Sequence, residues 1–279
     1  LKLTPQIISG NDVLSIEDLS KHFGSLTLFE HVDIEIKRGE HVAIIGDNGT
    51  GKTTLLKIIN ELESMDSGQI RLGSKVEIGY YDQEHHVLHS EKTLFDEISD
   101  DYPALTNTQI RNTLAAFLFT GDDVFKKISE LSGGERGRVS LAKLMLSNAN
   151  FLILDEPTNG LDPAGIQEMR SLISSMPETT GATVLISSHL LGEIEQMVTQ
   201  VGILNHGKML FEGSLQALQK HSRGGILLRV LDVPKSIAVL NRQGIRAVTQ
   251  AQHPDVLELP ALPDEALATL VCTLAESGV

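Results

Sequence analysis

The stretch GDNGTGKTT, residues 46–54, has the composition and spacing of a loop that binds phosphate. In the pattern Gly, four residues, Gly, Lys, Ser or Thr, the glycines let successive backbone N–H groups converge on one anion. Lys52 adds a point charge, and the Thr53 hydroxyl is a ligand for Mg²⁺. A glycine turn that only caps a helix is the alternative. The residues expected to bind the nucleotide here are Asn48, Gly49, Gly51, Lys52, Thr53 and Thr54.

Two adjacent carboxylates follow an apolar run in FLILDEPT, residues 151–158. Ligands of a parallel sheet bind beyond the carboxyl ends of its strands, so Asp155 can approach the Mg²⁺ of a nucleotide bound by residues 46–54. Glu156 then lies near the terminal phosphate, where it orients or deprotonates an attacking water. By itself LILDE is more often a strand that ends in a solvated acidic turn. Its pairing with the phosphate loop favours a catalytic site.

A third stretch, LSGGERGRVSLAKLML at residues 131–146, begins a predicted helix with Ser132, Gly133 and Gly134. The start of a helix attracts anions, and two such sites are more than one nucleotide needs. A head-to-tail homodimer, in which each phosphate loop is closed by the partner's Ser132–Gly134 segment, explains both sites. It would hold two ATP molecules and close when ATP binds. A flexible glycine N-cap of an amphipathic helix is the alternative.

The elements that must position these residues alternate between short apolar strands and helices. Strands are expected at 41–46, 151–155 and 182–187, and helices are expected to start at Lys52 and Gly134. Such alternation predicts an α/β fold in which a mainly parallel sheet is covered by helices on both faces.

Two further segments depart from this alternation. Apolar residues between 92 and 130 recur at helical spacing, which predicts a separate helical lobe at about 84–150. Residues 69–73 and 76–81 are predicted to pair as a hairpin. The stretch HSRGG suggests a linker, after which a strand, helix, strand, strand and helix are expected. The predicted domains are a main domain at 1–221, a linker at 222–225 and a small α/β appendage at 226–279.

Six motifs in this order resemble those of the ATP-binding cassette (ABC) ATPases. They are GDNGTGKTT at 46–54, Gln83 in GYYDQ, LSGGE, LILDE, GLD at 160–162 and SSH at 187–189. The resemblance covers about residues 11–221. It implies a P-loop NTPase cassette that hydrolyses ATP with Mg²⁺, built from a mainly parallel core sheet, an antiparallel β subdomain and a helical lobe.

The resemblance also implies roles for single residues. Phe23 is similar to the aromatic residue that stacks on adenine, and Gln83 to the residue that senses Mg²⁺. Asp162 resembles an aspartate of the dimer interface, and His189 resembles the switch histidine that contacts the γ-phosphate. Their alternatives are a core phenylalanine, a polar loop residue, a helix N-cap before Pro163 and a helix-capping histidine. The implied catalytic residues are Lys52, Glu156 and His189, and the implied Mg²⁺ ligands are Thr53, Gln83 and Asp155.

The two parts of the chain resemble different branches of this family. Residues 3–159 are similar to the second cassette of ABC-F proteins, which act on ribosomes, whereas residues 160–279 are similar to ATPase subunits of bacitracin- and lantibiotic-type exporters. ABC-F proteins usually have a histidine where this chain has Gly160. We therefore expect an engineered chimera with a seam between about 150 and 160, across which two strands could pack imperfectly. A natural exporter subunit is the alternative.

Charge and composition limit the expected partners. The formal net charge of −14 repels phosphate backbones and anionic lipids, which disfavours the ribosome as a partner. An exporter-like role would require a membrane-protein partner, and an ATP-binding scaffold without physiological coupling is a third possibility. Cys272 cannot form an internal disulfide, and no apolar run reaches the roughly 18 residues of a membrane span. We therefore expect a cytoplasmic protein, and Leu1 in first place suggests a fragment or trimmed chain.

Overall fold

The computed structural model describes residues 7–81, 88–221, 226–249, 255–260, 262 and 264–277. The chain divides into two compact units, Leu1–Leu215 and Gln216–Val279. The strands of the first unit are β1 (Asp12–Phe23), β2 (Leu26–Lys37), β3 (His41–Ile45), β4 (Ser67–Leu72), β5 (Ile78–Tyr81), β6 (Phe151–Leu154), β7 (Thr183–Ser188), β8 (Gln200–Asn205) and β9 (Lys208–Ser214). Its helices are α1 (Lys52–Ile59), α2 (Leu94–Asp101), α3 (Asn107–Ala116), α4 (Gly133–Leu146), α5 (Pro163–Thr180) and α6 (Leu191–Ile194).

A six-stranded sheet with the order β5-β6-β7-β3-β8-β9 forms the centre of the first unit. The neighbouring pairs are parallel except for β8 and β9, which confirms the predicted mainly parallel sheet. All residues of β3, β6 and β7 are buried, as expected for strands covered on both faces. The pairing of β6 with β7 runs without a register shift from Phe151↔Thr183 to Leu154↔Ile186.

A second sheet, with the order β2-β1-β4, is antiparallel and packs on the first through α1. The shared core contains Ile16, Phe29, Ile44, Leu56 and Ile153. The predicted hairpin of residues 69–73 and 76–81 is wrong, because β4 pairs with β1 whereas β5 pairs with β6.

The physical reason lies in two glycines between and within these strands. A Cβ on Gly73 would collide with the carbonyl oxygen of Asp12, so glycine lets the chain leave β4 tightly against β1. A Cβ on Gly79 would lie 2.5 Å from Leu144 Cδ1, so glycine lets α4 pack closely over β5. Packing against α4 therefore places β5 in the central sheet.

The helical lobe contains α2, α3 and two short 3₁₀ turns at Gly121–Phe125 and Ile128–Glu130. The apolar residues that give the helical spacing are buried, namely Leu94, Ile98, Ile110, Leu114 and Phe117. Leu118 has the same spacing but is 49% exposed, because it has φ 69° just beyond the end of α3. Phe119 is buried in its place.

The second unit is a small α/β structure. The remaining elements of the chain are α7 (Leu215–His221), β10 (Ile226–Arg229), α8 (Val233–Arg242), β11 (Val248–Thr249), β12 (Val256–Leu259) and α9 (Asp264–Glu276). From β10 onward the order is the predicted strand, helix, strand, strand and helix. The antiparallel sheet β10-β12-β11 shares a core with α8 and α9 that includes Leu240, Leu257 and Leu270. The predicted linker at 222–225 lies outside the described residues. Within the described part of the chain, none of the helices is long and apolar enough to span a bilayer.

Candidate active site

The loop at residues 46–54 connects β3 to α1, and its lysine is buried at the base of the loop. The Lys52 ammonium donates to the carbonyl oxygens of Gly46 (2.8 Å) and Asp47 (3.0 Å). Gly49 and Gly51 have φ values of +84° and +98°, a region that residues with a Cβ rarely occupy. The two glycines therefore allow the loop to fold back so that Lys52 faces the space in front of α1.

Asp155 and the phosphate loop meet because β6 and β3 both flank β7 in the sheet. The Thr53 hydroxyl donates to Asp155 Oδ1 across 3.2 Å. The Ser187 hydroxyl donates to the same oxygen at 2.6 Å, and the Tyr80 hydroxyl donates to Asp155 Oδ2 at 3.3 Å. Three strand ends and the start of α1 thus orient one carboxylate that is 1% exposed.

The oxygen atoms at this point suit Mg²⁺. A hydroxyl and a carboxylate are the hard donors that Mg²⁺ prefers, and this ion commonly takes one or two protein ligands together with substrate phosphates. Thr53 and Asp155 supply those donors at 3.2 Å from each other. Gln83, the third expected ligand, lies outside the described residues.

Glu156 lies in the same site with an unusual backbone. Its φ of +43° is in the left-handed region, and its backbone N–H donates to Ser187 Oγ at 2.8 Å. The carboxylate is 3.2 Å from Lys52 Nζ and 3.5 Å from His189 Nδ1. The side chains of Lys52 and Glu156 are 3% and 9% exposed, whereas that of His189 is 30% exposed. A buried anion therefore lies between the lysine of the loop and a histidine that follows β7.

An open pocket of about 350 Å³ lies in front of these groups. Its lining residues are Phe23, Leu28, Asn48, Gly49, Gly51, Lys52, Thr53, Thr54, Glu156 and Asn159. Phe23, at the end of β1, is 49% exposed and is therefore not a core phenylalanine. Lys21 Nζ lies 4.9 Å from the centroid of its ring. The pocket is thus lined by an exposed aromatic ring as well as by buried charged groups.

The segment Ser132–Gly134 and Asp162 all belong to the described part of the chain, but none of them lines this pocket. The Ser132 hydroxyl accepts a hydrogen bond from Glu135 N–H at 3.2 Å and caps α4. Asp162 Oδ1 accepts from Gly165 N–H at 3.1 Å at the start of α5. Gly134 lies beside this second helix start, since a Cβ on it would be 3.8 Å from Gly165 Cα. Within one chain, Asp162 caps the start of α5, as its alternative predicted, whereas α4 is capped by Ser132 and not by a glycine.

His189 does not cap a helix, because the N-cap of α6 is Leu190 and has no side-chain cap hydrogen bond. Two residues that hold the site were not predicted from the sequence, namely Ser187 and Tyr80. Both occur in motifs that were recognised, SSH and GYYDQ, and both are hydroxyl residues near the carboxyl ends of strands of the central sheet. Their position near the ends of strands could have indicated a role in the site. The order of the strands in the sheet is needed, however, to tell that they reach Asp155.

Comparison with known proteins gives a consistent set of relatives. Residues 29–159 match the family model described as ABC transporter. The chain is 45% identical over 194 residues to the putative ATP-binding protein YdiF of Bacillus subtilis, covering 69% of this chain and 30% of YdiF. It is 36% identical over 220 residues to the energy-dependent translational throttle protein EttA of Escherichia coli, covering 77% of this chain and 39% of EttA. The chain thus spans about a third of these two proteins.

A third relative is matched over most of its length. The bacitracin transport ATP-binding protein BcrA of Bacillus licheniformis is 32% identical over 247 residues, covering 82% of this chain and 79% of BcrA. Among solved structures, CbiO1 of Clostridium perfringens, described as part of the ABC transporter complex cbiONQ, matches with a TM-score of 0.65 and 26% identity. That match covers 76% of this chain and 92% of CbiO1. The ATP-binding cassette MJ0796, in a dimeric post-hydrolysis state with ADP and phosphate, shares the fold at a TM-score of 0.62 and 21% identity, covering 72% of this chain and 98% of MJ0796.

Proposed function

The chain belongs to the ABC transporter family of ATPases, and we propose that its own site hydrolyses ATP to ADP and phosphate through Lys52 and Glu156. The observation that carries this proposal is the convergence of two motifs that are about a hundred residues apart in the sequence. Lys52 Nζ lies 3.2 Å from Glu156 Oε1, and Thr53 Oγ1 lies 3.2 Å from Asp155 Oδ1. A phosphate-binding loop and two carboxylates with distinct neighbours are what phosphoryl transfer to water requires.

Each residue has a distinct task in the proposed reaction. The amides of the loop and Lys52 bind the phosphates. When ATP binds, Lys52 leaves Glu156 and contacts phosphate oxygens instead. Glu156 accepts a proton from water while the water oxygen bonds to the γ-phosphorus and the bond to the bridging oxygen of ADP breaks. His189 holds the other side of the Glu156 carboxylate and contacts the γ-phosphate. Mg²⁺, held by Thr53 and Asp155 when bound, supplies charge neutralisation on the phosphates.

Glu156→Gln tests this function directly. We expect phosphate release to fall by about 100- to 1,000-fold, since a positioned general base contributes roughly 10²–10⁴-fold. Binding of ATP should persist, because the amide keeps the size of the side chain and the loop is unchanged. Glu195→Gln, at an exposed position, is the matched control. Hydrolysis at the wild-type rate by Glu156→Gln would reject Glu156 as the base.

We further propose that two copies of the chain close head to tail around two ATP molecules. The pocket is open, whereas Ser132–Gly134 and Asp162 lie outside it, next to each other on the surface of the same chain. A hydroxyl that accepts one hydrogen bond can still donate another, so Ser132 can cap α4 and also contact a partner's phosphate. The solution mass of Glu156→Gln should double on addition of Mg²⁺-ATP. A protein that binds ATP and stays monomeric would contradict this arrangement.

We also propose that the chain is an engineered chimera, in which residues 3–159 derive from an ABC-F ATPase and residues 160–279 from an exporter ATPase. The proposal is supported by relatives from both branches, since the translational throttle protein EttA is 36% identical over 220 residues and the bacitracin transport protein BcrA is 32% identical over 247 residues. Identity calculated separately for the two parts should favour YdiF and EttA before residue 160 and BcrA after it. Equal identity to BcrA throughout would instead indicate a natural exporter subunit.

The process that ATP hydrolysis drives depends on the partner that binds this chain. The name of BcrA assigns it to bacitracin transport, and an exporter role for this chain would need a membrane protein that binds the helical lobe. The net charge of −14 opposes binding to ribosomal RNA. We propose a cytoplasmic ATPase subunit, with a scaffold that has lost its coupling as the second candidate. Co-purification of a membrane protein would favour the first, and purification without a partner would favour the second.

A further inference from the structure

Ser187, at the carboxyl end of β7, connects both carboxylate residues of the site. It is 0% exposed. Its hydroxyl donates to Asp155 Oδ1 at 2.6 Å and accepts from the backbone N–H of Glu156 at 2.8 Å. The direction of both bonds is fixed by chemistry, because an ionised carboxylate only accepts and a backbone N–H only donates. The single hydroxyl therefore has one orientation that satisfies both neighbours.

The bond to Glu156 supports a backbone that is otherwise unfavourable. At φ +43° the residue is in a region that side chains with a Cβ occupy rarely, and such strain persists only where surrounding contacts determine it. The contacts of the Glu156 backbone are the N–H bond to Ser187 and a carbonyl that accepts from Asn159 N–H at 3.0 Å. The backbone in turn sets where the carboxylate lies relative to Lys52 and His189.

We propose that Ser187 is a positioning residue for hydrolysis, which holds Glu156 in the geometry that attack by water requires. This inference rests on the proposed function of Glu156. Ser187 is absent from the lining of the pocket and acts only through its neighbour. Without the hydroxyl, the Glu156 N–H is buried with no acceptor, and the segment relieves this by turning the peptide away from φ +43°.

Asp155 depends much less on Ser187 than Glu156 does. The hydroxyls of Thr53 and Tyr80 also donate to the Asp155 carboxylate, at 3.2 and 3.3 Å. These two bonds remain when Ser187 is replaced, so Asp155 keeps its place beside the phosphate loop. Loss of the Ser187 hydroxyl should therefore reduce kcat while leaving ATP binding nearly intact.

Ser188 is a matched control for this change. It is the next residue of the same strand, is 2% exposed, and its hydroxyl exchanges hydrogen bonds with the backbone of Leu190 at 3.1 and 3.3 Å. Ser188→Ala removes the same atoms from the same strand at similar burial. Any general cost of an alanine in β7 is common to both variants.

The experiment compares Ser187→Ala, Ser187→Thr, Ser188→Ala and Glu156→Gln by steady-state ATP hydrolysis, binding of a fluorescent ATP analogue and thermal unfolding. We expect Ser187→Ala to lower kcat by about 10- to 100-fold, since small misplacement of a reacting group costs up to about that factor. The Kd of the ATP analogue should change by less than about threefold, because the bonds to Asp155 and the loop remain. Ser187→Thr keeps the hydroxyl and should recover most of kcat.

The outcomes distinguish an error in the positioning role of Ser187 from an error in the proposed function of Glu156. Equal kcat for Ser187→Ala and Ser188→Ala, with Glu156→Gln inactive, would overturn the positioning role and leave the proposed function standing. An active Glu156→Gln would reject the proposed function itself. If Ser187→Ala does not fold, Ser187→Cys fills nearly the same space with a weak donor and acceptor. That variant should also lose kcat with little change in Kd, and wild-type kcat would overturn the proposal.

Discussion

Two glycine-containing motifs of this chain begin a helix, and they differ in whether the helix start is already capped. The helix α1 has Gly51 as its N-cap, which provides no side-chain hydrogen bond, and Lys52 faces buried carboxylates beyond it. The helix α4 has Ser132 as its N-cap, which forms a capping box with Glu135. Uncapped N–H groups at a helix start are a site for an anion, whereas capped ones are partly satisfied already. The start of α1 can therefore bind an anion with groups of its own chain. The start of α4 can bind one only through the N–H and hydroxyl donors that its capping box does not use.

The two regions also differ in how they are held in place. The phosphate loop is tied to three neighbouring strands through Asp155 and Glu156. The Ser132 end of α4 is partly exposed, and the helix is anchored near its other end by Lys143. Substitutions in the two regions should thus separate nucleotide binding from the properties of α4.

The largest effect is expected for Lys143→Met, which removes the anchor of α4. Lys143 Nζ lies 2.5 Å from Glu97 Oε1 and 2.7 Å from Asp101 Oδ2, and the Glu97 side chain is 0% exposed. Removing one partner of a buried ion pair costs about 3–5 kcal/mol, and the low end applies here because Glu97 keeps its contact with His89 Nδ1 at 3.1 Å. We expect that loss in the free energy of unfolding measured with urea.

Lys92→Met is the matched control, since its ion pair with Asp100 on α2 is 3.0 Å long but 26% and 58% exposed. Exposed pairs contribute about 0–1 kcal/mol. Equal losses for the two variants would show that α4 is not anchored by its buried charge. ATP binding by folded Lys143→Met should stay near that of the wild type if the two regions are independent.

The next effect is expected for Lys52→Ala, which removes the charge that faces the pocket. A hydrogen bond to a charged group contributes about 1.5–3 kcal/mol, so the Kd for ATP should rise by about 10- to 100-fold. Isothermal titration with Mg²⁺-ATP measures this. Lys57→Ala, at an exposed position of the same helix, should leave the Kd unchanged. Retained tight binding by Lys52→Ala would contradict the assignment of the phosphate loop.

Ser132→Ala changes the second motif and should give a smaller loss of stability. Removing an N-cap serine costs about 0.5–2 kcal/mol, because one N–H at the start of α4 loses its acceptor. We expect ATP to bind as tightly as before, since Ser132 does not line the pocket of its own chain. Hydrolysis should fall together with ATP-dependent dimerisation, whereas Ser132→Thr keeps the cap and should retain both. Weakened ATP binding by monomeric Ser132→Ala would show that the second motif also contributes to nucleotide binding within its own chain.

The sequence was sufficient where a single stretch carries its own signal. Apolar runs located the buried strands, and the spacing of glycines located the phosphate loop near Asp155. It was insufficient where the answer depends on which strands are neighbours. The segments 69–73 and 76–81 are close enough in sequence for a hairpin, but β4 pairs with β1 in one sheet and β5 pairs with β6 in the other. Ser187 and Tyr80 likewise reach Asp155 only because β5, β6 and β7 adjoin, which no local periodicity reports.

The smallest effect is expected at His22, the partly exposed residue that precedes Phe23 in β1. His22 contacts the carboxylates of Glu30 and Asp66 at 3.0 and 3.1 Å, and these hydrogen bonds raise the pKa of His22 above its usual value. A raised pKa in the folded state stabilises the protein fully below the unfolded pKa of about 6.5, and that contribution is lost as pH rises through the folded pKa. The lowered pKa of Asp66, which is due first to its bond with the backbone of His22, acts in the opposite sense. The contribution of Asp66 is lost only at acidic pH, as pH falls through its lowered pKa.

The thermal unfolding temperature of His22→Gln should therefore be below that of the wild type at pH 6, and the difference should shrink towards pH 8.5. His206→Gln, in the turn between β8 and β9, is the control for the loss of a histidine elsewhere in the first unit. Lys52 and Glu156 line the pocket, whereas His22 is partly exposed and does not. The Kd for ATP should therefore change little between pH 6 and pH 8.5 as a result of His22. A Kd for ATP that changes with pH in the wild type but not in His22→Gln would show that His22 contributes to nucleotide binding. Nucleotide binding would then depend on Phe23 and its neighbours as well as on the phosphate loop.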